Sequence, residues 1–416
     1  MSLAGRTIVL GVSGGIAAYK SAELVRELRQ AGARVRVIMT RHAQEFITPL
    51  TLQTLSGEPV ATDLFDLGQE SQIGHIDLAD AADVVAVAPA TANVVAKIAA
   101  GLADDLLSTV LLATRAPIVV APAMNVHMYE NPIVQENLAR LAGRGVRVVA
   151  PDHGSLACGY EGPGRLPDAA VLREEIAAAL AAPDLAGETV LVTAGPTREY
   201  LDPVRFLSNR SSGKMGFAIA RAARRRGARV VVVSGPTALP EPRGIELVRV
   251  ETAAEMAASA ARAAGDATIV IAAAAVADYR PAERRADKEA KLAGASSLAL
   301  EATPDVVASL PRRPELIVVG FAAETQDLVS RARAKLERKR LDLIVANDVS
   351  AEDAGFDVDT NRVTLIAGDG ATELPLLAKD DVADAVLDRI REIRGRRPLR
   401  VERPAGLAAR RASRAS

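Results

Sequence analysis

The sequence predicts an α/β protein with two doubly wound, Rossmann-like domains. Short apolar runs that are typical of buried strands alternate with helical segments along most of the chain. The order strand, glycine-containing turn, helix and strand occurs twice, beginning near Thr7 and again near Thr189. The two beginnings are also similar in sequence, because residues 3–7 read LAGRT and residues 185–189 read LAGET. We therefore expect two mononucleotide-binding units, each of which opens a separate domain.

Composition restricts the class of protein further. The chain has 416 residues, of which 49% are hydrophobic and 25% are charged, as in soluble globular proteins of two or three domains. A net charge of −1, no Trp and 3% aromatic residues argue against nucleic acid as the main partner. No apolar run has the roughly 18 residues of a membrane helix, and no signal peptide is recognisable. The single cysteine, Cys158, excludes an intramolecular disulfide and fits a reducing cytoplasm, where we expect the protein.

The first domain is predicted to span residues 1–183. A strand at residues 8–12 leads into Ser13-Gly14-Gly15, and a helix at residues 16–31 follows. Glycines at such a helix start let backbone N–H groups approach a phosphate, although a glycine turn by itself is weak evidence for one. The other predicted elements are helices at 42–55, 94–100, 106–113 and 168–181, and strands at 84–88, 118–121 and 146–150.

Polar residues of this domain lie at predicted strand ends and in loops. Residues 89–93 form a polar turn at the carboxyl end of a strand, where open α/β sheets bind ligands. Residues 154–165 contain four glycines and Cys158, which predicts a mobile flap rather than core structure. Considered alone, His75 is typical of a surface or capping residue, Asn125 of a helix cap and Cys158 of an ordinary loop thiol.

The second domain is predicted to span residues 184–393. After a strand at residues 190–192, a polar loop enters a helix near Ser211-Ser212-Gly213-Lys214. Serines cap helices well, glycine allows a close approach and lysine adds a positive charge, so this helix start is suited to an anion. The other predicted elements are strands at 230–233, 269–275, 316–321 and 343–346, a helix beginning at 304–307, a helix at 327–340, a hairpin of 362–366 with 372–376, and a helix at 379–393.

Two positively charged features of the second half can be interpreted in more than one way. Lys335 and Lys339 lie four residues apart on one face of a predicted helix, which usually indicates a solvated surface. Residues 394–416 carry eight Arg against one Glu without apolar periodicity. This segment is predicted to be a disordered tail, and an anionic partner for it is the alternative.

Nine short motifs, taken together and in this order, resemble those of a known family. It is the family of bifunctional coenzyme A biosynthesis flavoproteins, in which phosphopantothenate–cysteine ligase is fused to phosphopantothenoylcysteine decarboxylase. The resemblance covers about residues 5–392, and nine motifs in the family's order are specific where one alone is weak. The motifs are GVSGGIAAYKS, APATAN, PAMN, ACG, GPTRE, DPVRFLSNRSSGKMG, AAVADYR, GFAAET and KRLDLIVANDVS.

For the first domain, the resemblance implies a flavodoxin-like fold that binds FMN and removes CO2 from an N-acylated C-terminal cysteine. Hydride transfer to the flavin would convert the thiol-bearing carbon to a thioaldehyde, an electron sink that makes loss of the carboxylate feasible. The resemblance implies that His75 is the base assisting this oxidation, that Asn125 holds the substrate carboxylate and that Cys158 is the final proton donor. The residues implied to hold FMN are Ser13, Gly14, Gly15, Thr91 and Asn93.

For the second domain, the resemblance implies that CTP activates 4′-phosphopantothenate as an acyl-cytidylate, from which the amine of cysteine displaces CMP. Mg²⁺ and cationic side chains, among them Lys288 at the triphosphate, would spread the charge of the leaving pyrophosphate. Asn209 and Arg205 would serve formation of the acyl-cytidylate or its aminolysis. A homo-oligomer is also implied. The residues implied to line the nucleotide site are Ala272, Ala273, Ala274, Asp278, Pro304, Asp305, Val306, Val307, Phe321, Lys335 and Lys339.

Three other functions are weighed against this one. A flavoprotein decarboxylase with an inactive second domain is conceivable, because residues 288–291 read KEAK where the family has a denser lysine loop. A regulatory FMN-binding protein is disfavoured by the presence of His75, Asn125 and Cys158 together. An NAD-dependent dehydrogenase is disfavoured because neither glycine turn reads G-x-G-x-x-G with a downstream acid.

Overall fold

The computed structural model describes residues 3–64, 74–157, 159–288, 297–324, 328–348 and 358–396. The chain divides into two units, Met1–Ala186 with Arg225–Gly227, and Gly187–Arg224 with Ala228–Ser416. Each unit is built on a mainly parallel sheet with helices on both faces. The predicted α/β class is therefore confirmed in both units.

As far as the structure describes it, the sheet of the first unit has five parallel strands. They are β1 (Thr7–Val12), β2 (Arg34–Met39), β3 (Val84–Ala90), β4 (Ile118–Pro122) and β5 (Arg147–Val148). Their order is β2-β1-β3-β4-β5. Helices cover both faces, so the central strands are almost entirely apolar and buried. From β1 the chain first adds β2 on one side, and it then adds β3, β4 and β5 on the other side. The strand order therefore reverses between β1 and β3, which is the topological switch point of a flavodoxin-like sheet.

Among the described residues of this unit, eight α-helices surround the sheet, and two of them begin later than predicted. Residues Ile16–Tyr19 form a 3-10 turn before the first α-helix, whereas the sequence predicted one helix over 16–31. The predicted helix at 42–55 is a 3-10 segment, Arg41–Glu45, followed by a separate helix that starts at Pro49, because proline lacks the N–H that a continuous helix requires. The helices are α1 (Lys20–Gln30), α2 (Pro49–Ser56), α3 (Gly74–Ala81), α4 (Ala92–Ala100), α5 (Leu106–Ala113), α6 (Val126–Tyr129), α7 (Pro132–Gly143) and α8 (Ala169–Leu180).

The glycine-rich segment that was predicted to be a mobile flap has regular structure on both sides of its centre. Strands β6 (Asp152–Ser155) and β7 (Glu161–Arg165) pair as an antiparallel hairpin. The glycines are used for close packing, which is described with the site below. Cys158 lies outside the described residues.

The strands of the second unit are β8 (Thr189–Ala194), β9 (Arg198–Tyr200), β10 (Phe206–Ser208), β11 (Arg229–Ser234), β12 (Glu246–Arg249), β13 (Ile269–Ala272), β14 (Tyr279–Pro281), β15 (Leu300–Ala302), β16 (Ile317–Glu324), β17 (Leu343–Asp348), β18 (Thr360–Asn361), β19 (Val363–Ala367), β20 (Gly370–Glu373) and β21 (Leu377–Ala378). Within the described residues they form an eight-stranded sheet and three two-stranded ones. The order of the main sheet is β12-β11-β8-β13-β16-β17-β19-β20. Its strands are parallel from β12 to β17, and then β19 runs antiparallel to β17 and β20 antiparallel to β19. The pairs β9–β10, β14–β15 and β18–β21 lie outside this sheet.

In the described parts of this unit, four helices are divided between the two faces of the sheet. They are α9 (Lys214–Arg225), α10 (Ala253–Ala263), α11 (Leu328–Lys339) and α12 (Lys379–Arg396). Met256 of α10 and Ala332 of α11 belong to one buried core, so these two helices share a face. Arg221 of α9 pairs with Asp380 of α12 at 3.0 Å. Because right-handed crossovers that move in opposite directions along a sheet lie on opposite faces, α9 and α12 cover the other side.

Three sequence predictions for this unit can be compared with the structure. The predicted hairpin is confirmed as β19 and β20. The predicted helix at Pro304–Val307 is wrong: these residues lead into a single turn, because Pro311 follows too closely for a helix to continue. The predicted disordered tail begins too early, since Arg394 lies in α12 and donates to Glu188 at 2.7 Å. Residues 397–416 lie outside the described part of the chain. No helix within the described ranges combines the length and the apolar character needed to cross a membrane.

We predict that Gly235→Ala destabilises the second unit. A Cβ at Gly235 would lie 1.7 Å from the carbonyl oxygen of Pro196, so backbone must move. The free energy of unfolding should fall by about 1–3 kcal/mol in urea titrations. Gly368→Ala is the matched control, because a Cβ there meets nothing within 4 Å. Equal unfolding midpoints for the two variants would contradict the packing described.

Candidate active sites

In the first unit, two loops meet at the switch point between β1 and β3. Ser13 follows β1, is 1% exposed and donates its hydroxyl to the carbonyl of Pro89 at 2.8 Å. The backbone N–H of Thr91, which follows β3, donates to the Ser13 hydroxyl oxygen at 3.0 Å. Thr91 also caps α4 by accepting the N–H of Val94. The serine therefore fixes the two loops to each other.

Glycines bring the first of these loops close to its neighbours. A Cβ at Gly14 would lie 2.4 Å from the Cβ of His42 and 2.7 Å from its carbonyl carbon, so no larger residue fits without movement. Gly15 is extended and begins the 3-10 turn that precedes α1. Asn93 is exposed in the first turn of α4. The five residues predicted to hold FMN thus lie on the two loops of one crevice, with backbone N–H groups of two helix starts along it.

Asn125 and His75 lie at the same edge of the sheet. Asn125 follows β4 and accepts the N–H of His127 at 2.9 Å, so it does cap α6. His75 is the second residue of α3 and is half-buried. Crossover helices run antiparallel to the strands, so the start of α3 lies at the carboxyl edge, as Asn125 does. The topology therefore brings Asn125 and His75 to the edge of the sheet that carries the residues predicted to hold FMN.

The β6–β7 hairpin packs directly on the loop that carries Asn125. The N–H of Met124 donates to the carbonyl of Gly164 at 3.0 Å, and a Cβ at Gly164 would lie 2.2 Å from the carbonyl oxygen of Met124. A Cβ at Gly162 would lie 2.7 Å from the side chain of Val126. Strand β7 of the hairpin therefore lies against the Asn125 loop.

In the second unit, a cavity of about 460 Å³ opens at the carboxyl ends of β13, β16 and β17. It lies beside the second point where the strand order reverses, between β8 and β13. The residues that line it are Asn209, Arg210, Ser211, Ser212, Gly213, Lys214, Met215, Gly216, Ala273, Ala274, Ala275, Val276, Asp278, Phe321, Ala322, Lys335, Asn347, Asn361 and Lys379.

The start of α9 forms one wall of this cavity. Gly213 is buried with φ of +77°, a conformation that favours glycine, and a Cβ there would lie 2.7 Å from the side chain of Thr237. A Cβ at Gly216 would lie 2.7 Å from the Cβ of Ala194, so the first turn of α9 rests against the end of β8. Lys214 pairs with Asp359 at 2.7 Å. The predicted anion-binding helix start is thus part of the cavity wall.

Six of the residues predicted for catalysis or for the nucleotide line the cavity. They include Ala273, Ala274 and Asp278 after β13. Asn209 donates its side-chain amide to the carbonyl of Val276 at 2.8 Å, which fixes it to the same strand end. Lys335 donates its ammonium to the carbonyl of Phe321 at 2.8 Å, and both residues line the cavity.

The remaining predicted residues lie outside the set that lines the cavity. Lys339 pairs with Asp305 at 3.1 Å, in the turn that contains Pro304, Val306 and Val307. Burial alone would raise the pKa of Asp305, but hydrogen bonds from Lys339 and from the backbone hold that pKa below its usual value. Ala272 is the last residue of β13. Lys288 is exposed, and residues 289–296 lie outside the described ranges.

Arg205 is held in the loop between β9 and β10 by Asp202. Its guanidinium Nε donates to the fully buried carboxylate at 2.6 Å. Burial alone would raise the pKa of Asp202, but the backbone N–H groups of Arg205 and Val204 and the guanidinium together lower it to about 2. Asp202 therefore fixes the conformation of the loop that presents Arg205.

Among the cavity residues that the sequence reasoning missed are Asn347, Asn361 and Lys379. Asn347 had a usable signal, because it lies at a strand end within the motif KRLDLIVANDVS. Asn361 and Lys379 had none, since one lies in a two-residue strand and the other begins an ordinary helix.

The geometry defines an α/β protein with two candidate ligand sites, one at the edge of a flavodoxin-like sheet and one beside a helix start suited to an anion. The Flavoprotein family model matches residues 1–181, and the model of the DNA/pantothenate metabolism flavoprotein C-terminal domain matches residues 185–393.

The chain is also similar to proteins named Coenzyme A biosynthesis bifunctional protein CoaBC. Identity is 50% over 395 residues in Vibrio cholerae, covering 94% of this chain and 99% of the relative. It is 51% over 399 residues in Escherichia coli K12 (94% and 98%) and 50% over 394 residues in Bacillus subtilis 168 (93% and 97%). The chain belongs to this CoaBC family.

We predict that Asp202→Asn destabilises the second unit in a pH-dependent way. The folded pKa is depressed to about 2, below the usual value of about 3.9, so the stabilisation is present above pH 4 and is lost as the pH falls towards 2. Urea unfolding at pH 7 should show the variant less stable than the parent, and the difference should narrow between pH 4 and pH 2. The exposed Asp266→Asn is the control and should show no such trend. A stability difference between the parent and Asp202→Asn that stays constant between pH 7 and pH 2 would contradict the lowered pKa of Asp202.

Proposed function

We propose that this chain catalyses two successive steps of coenzyme A biosynthesis. The second unit joins 4′-phosphopantothenate to cysteine at the expense of CTP, and the first unit decarboxylates the product with FMN. The observation that carries this proposal is that one chain presents two separate ligand edges, each at a strand-order reversal, and matches bifunctional relatives over almost their whole length. We assign the decarboxylase to residues 1–183 and the ligase to residues 184–393, in the cytoplasm and as a homo-oligomer.

In the first unit, FMN would be held by Ser13, Gly14, Gly15, Thr91 and Asn93. The fit is supported by the glycine loop, which packs closely on His42 and places no side chain between its backbone N–H groups and a phosphate, and by the Ser13 contacts that hold both loops in place. When bound, FMN supplies reversible hydride acceptance. Oxidation of the thiol-bearing carbon of the substrate creates the electron sink that loss of CO2 requires.

The protein residues would bind the substrate and move its protons. Asn125 accepts the His127 N–H through Oδ1, so its Nδ2 is the end that would donate to the substrate carboxylate. His75, at the same edge, would take up the proton released as the thiol-bearing carbon is oxidised. Cys158 would return a proton to the carbon chain after CO2 has left. The β6–β7 hairpin packs on the Asn125 loop, and this contact supports the proposal that the hairpin covers the bound substrate.

In the second unit, the cavity would hold the nucleotide and the acyl substrate side by side. Lys335 and Lys214 line it and, with the N–H groups at the start of α9, would counter the charge of the phosphates. Lys288 would approach the triphosphate from its exposed loop, and Lys339 would support the base end through Asp305. Asn209 and Arg205 would orient the acyl group for attack by the cysteine amine. Mg²⁺ would enter with CTP, coordinated mainly by phosphate oxygens.

A single reconstitution tests both activities. The purified protein is incubated with FMN, 4′-phosphopantothenate, cysteine, CTP and Mg²⁺, and the products are identified by mass. We expect 4′-phosphopantetheine together with CMP. Accumulation of 4′-phosphopantothenoylcysteine would remove the decarboxylase assignment, and unconsumed 4′-phosphopantothenate would favour the alternative in which the second unit is inactive.

We predict that His75→Asn retains bound FMN but loses decarboxylation. With 4′-phosphopantothenoylcysteine supplied directly, CO2 release should fall by about 100-fold or more, as is typical when a general base is removed. The yellow colour and the ligase activity should persist. His153→Asn is the control, because His153 is exposed in the hairpin and has no assigned role. Normal turnover of His75→Asn would exclude His75 from the mechanism.

A further inference from the structure

The orientation of Asn125 depends on its neighbours. Its amide Oδ1 accepts the backbone N–H of His127 at 2.9 Å, and in the proposed function its Nδ2 binds the substrate carboxylate. Asn125 caps α6, a helix of only 4 residues that contains His127. One isolated turn is unstable, because the cost of starting a helix is not recovered over so short a length. The conformation of α6, and with it the orientation of Asn125, must therefore come from tertiary contacts.

The β6–β7 hairpin supplies such contacts in a regular order on both sides of Asn125. The pairs are Met124 with Gly164, Val126 with Gly162, and His127 with Tyr160. In the first two pairs the hairpin residue is a glycine that lets the Asn125 loop approach its backbone. In the third pair two aromatic rings meet, with centroids 5.0 Å apart and an interplanar angle of 74°. The hairpin and the loop therefore run side by side in opposite directions.

The contact between His127 and Tyr160 is made by side chains outside the core. His127 is exposed, and Tyr160 is 51% exposed. Nearly perpendicular rings at this distance have the favourable edge-to-face geometry of aromatic pairs. The backbone of Tyr160 is itself held, because its carbonyl accepts the N–H of Leu156 at 2.8 Å across the hairpin. The hairpin thus offers a ring on a fixed backbone to the residue whose N–H holds Asn125.

We propose that His127 and Tyr160 are positioning residues that orient Asn125 for the substrate carboxylate. Tyr160 holds the ring of His127, the backbone N–H of His127 holds Asn125 Oδ1, and Nδ2 is thereby directed to the carboxylate. This assignment rests on the proposed decarboxylase function of the first unit. It implies that the ring contact stabilises the binding of ligands that carry the carboxylate and leaves the binding of ligands without it unchanged.

Alanine substitutions test the assignment by comparing substrate with product. His127→Ala and Tyr160→Ala each remove the ring contact and keep the backbone N–H of residue 127. The KM for 4′-phosphopantothenoylcysteine should rise by about two- to tenfold, as expected for the loss of one aromatic pair. The kcat should remain close to that of the parent, because the groups that move protons are unchanged. The inhibition constant of the product, 4′-phosphopantetheine, which lacks the carboxylate, should change by less than about twofold.

The double variant tests whether the two rings act as one contact. His127→Ala combined with Tyr160→Ala should raise the KM no further than either substitution alone, because the second one removes nothing more. Tyr160→Phe keeps the ring and should retain the KM of the parent. His153→Ala is the matched control, since His153 is exposed in the same hairpin and belongs to none of the three pairs. Flavin absorbance and the unfolding temperature should match those of the parent in every variant.

The outcomes distinguish this assignment from the proposed function. Equal weakening of substrate and product would show that the rings support the hairpin as a whole and do not act through Asn125. That result, an unchanged KM or additive effects in the double variant would each overturn the assignment and leave the decarboxylase proposal standing. If one alanine variant does not fold, the KM and the inhibition constant of the other decide. If the parent releases no CO2 from 4′-phosphopantothenoylcysteine, the proposed function of the first unit and the assignment fail together.

Discussion

The position of helix starts at the carboxyl ends of parallel strands is the constraint around which both units are organised. A parallel sheet places the carboxyl ends of its strands at one edge, and each strand is followed there by a loop and the start of a helix. Where the strand order reverses, adjacent loops turn away from each other and leave a crevice. Such crevices occur between β1 and β3 and between β8 and β13. Most of the residues assigned to ligands lie along these two edges.

Close approach of backbone, more than flexibility, explains the glycines in this chain. The glycine-rich segment around Cys158 suggested mobility from its composition, yet Gly162 and Gly164 pack against the loop that carries Asn125. Gly213 and Gly216 likewise allow α9 to start against the end of β8. A glycine in a sequence is compatible with either use, because both depend on the absent Cβ. Only the neighbours distinguish them, and those neighbours are distant in sequence.

The limits of sequence prediction in this protein follow from the same distinction between local and distant contacts. Strands and long helices were predictable because their apolar periodicity is local, and the residues at β3 and β13 ends were predictable because they follow recognisable strands. The ordered Arg394 depends on its contact with Glu188, which is distant in sequence, whereas the turn after Pro304 had a local signal in Pro311. Lys379 could not be predicted at all, since α12 brings it to the start of α9 from far along the chain.

The lining of the second cavity also constrains where the chemistry can occur. Helices from both faces of the sheet contribute to it, because Lys335 comes from α11 and Lys379 from α12. The cavity is also lined by Ala273 to Val276 at the end of β13 and by Asn209, whose amide is fixed to the Val276 carbonyl. In the proposed arrangement, the acyl carboxylate and the nucleotide phosphate meet above this strand end. The hydrogen bond to the Val276 carbonyl would then hold Asn209 beside the reacting groups. This role would explain why the Asn209 side chain is exposed and is nevertheless held in one orientation.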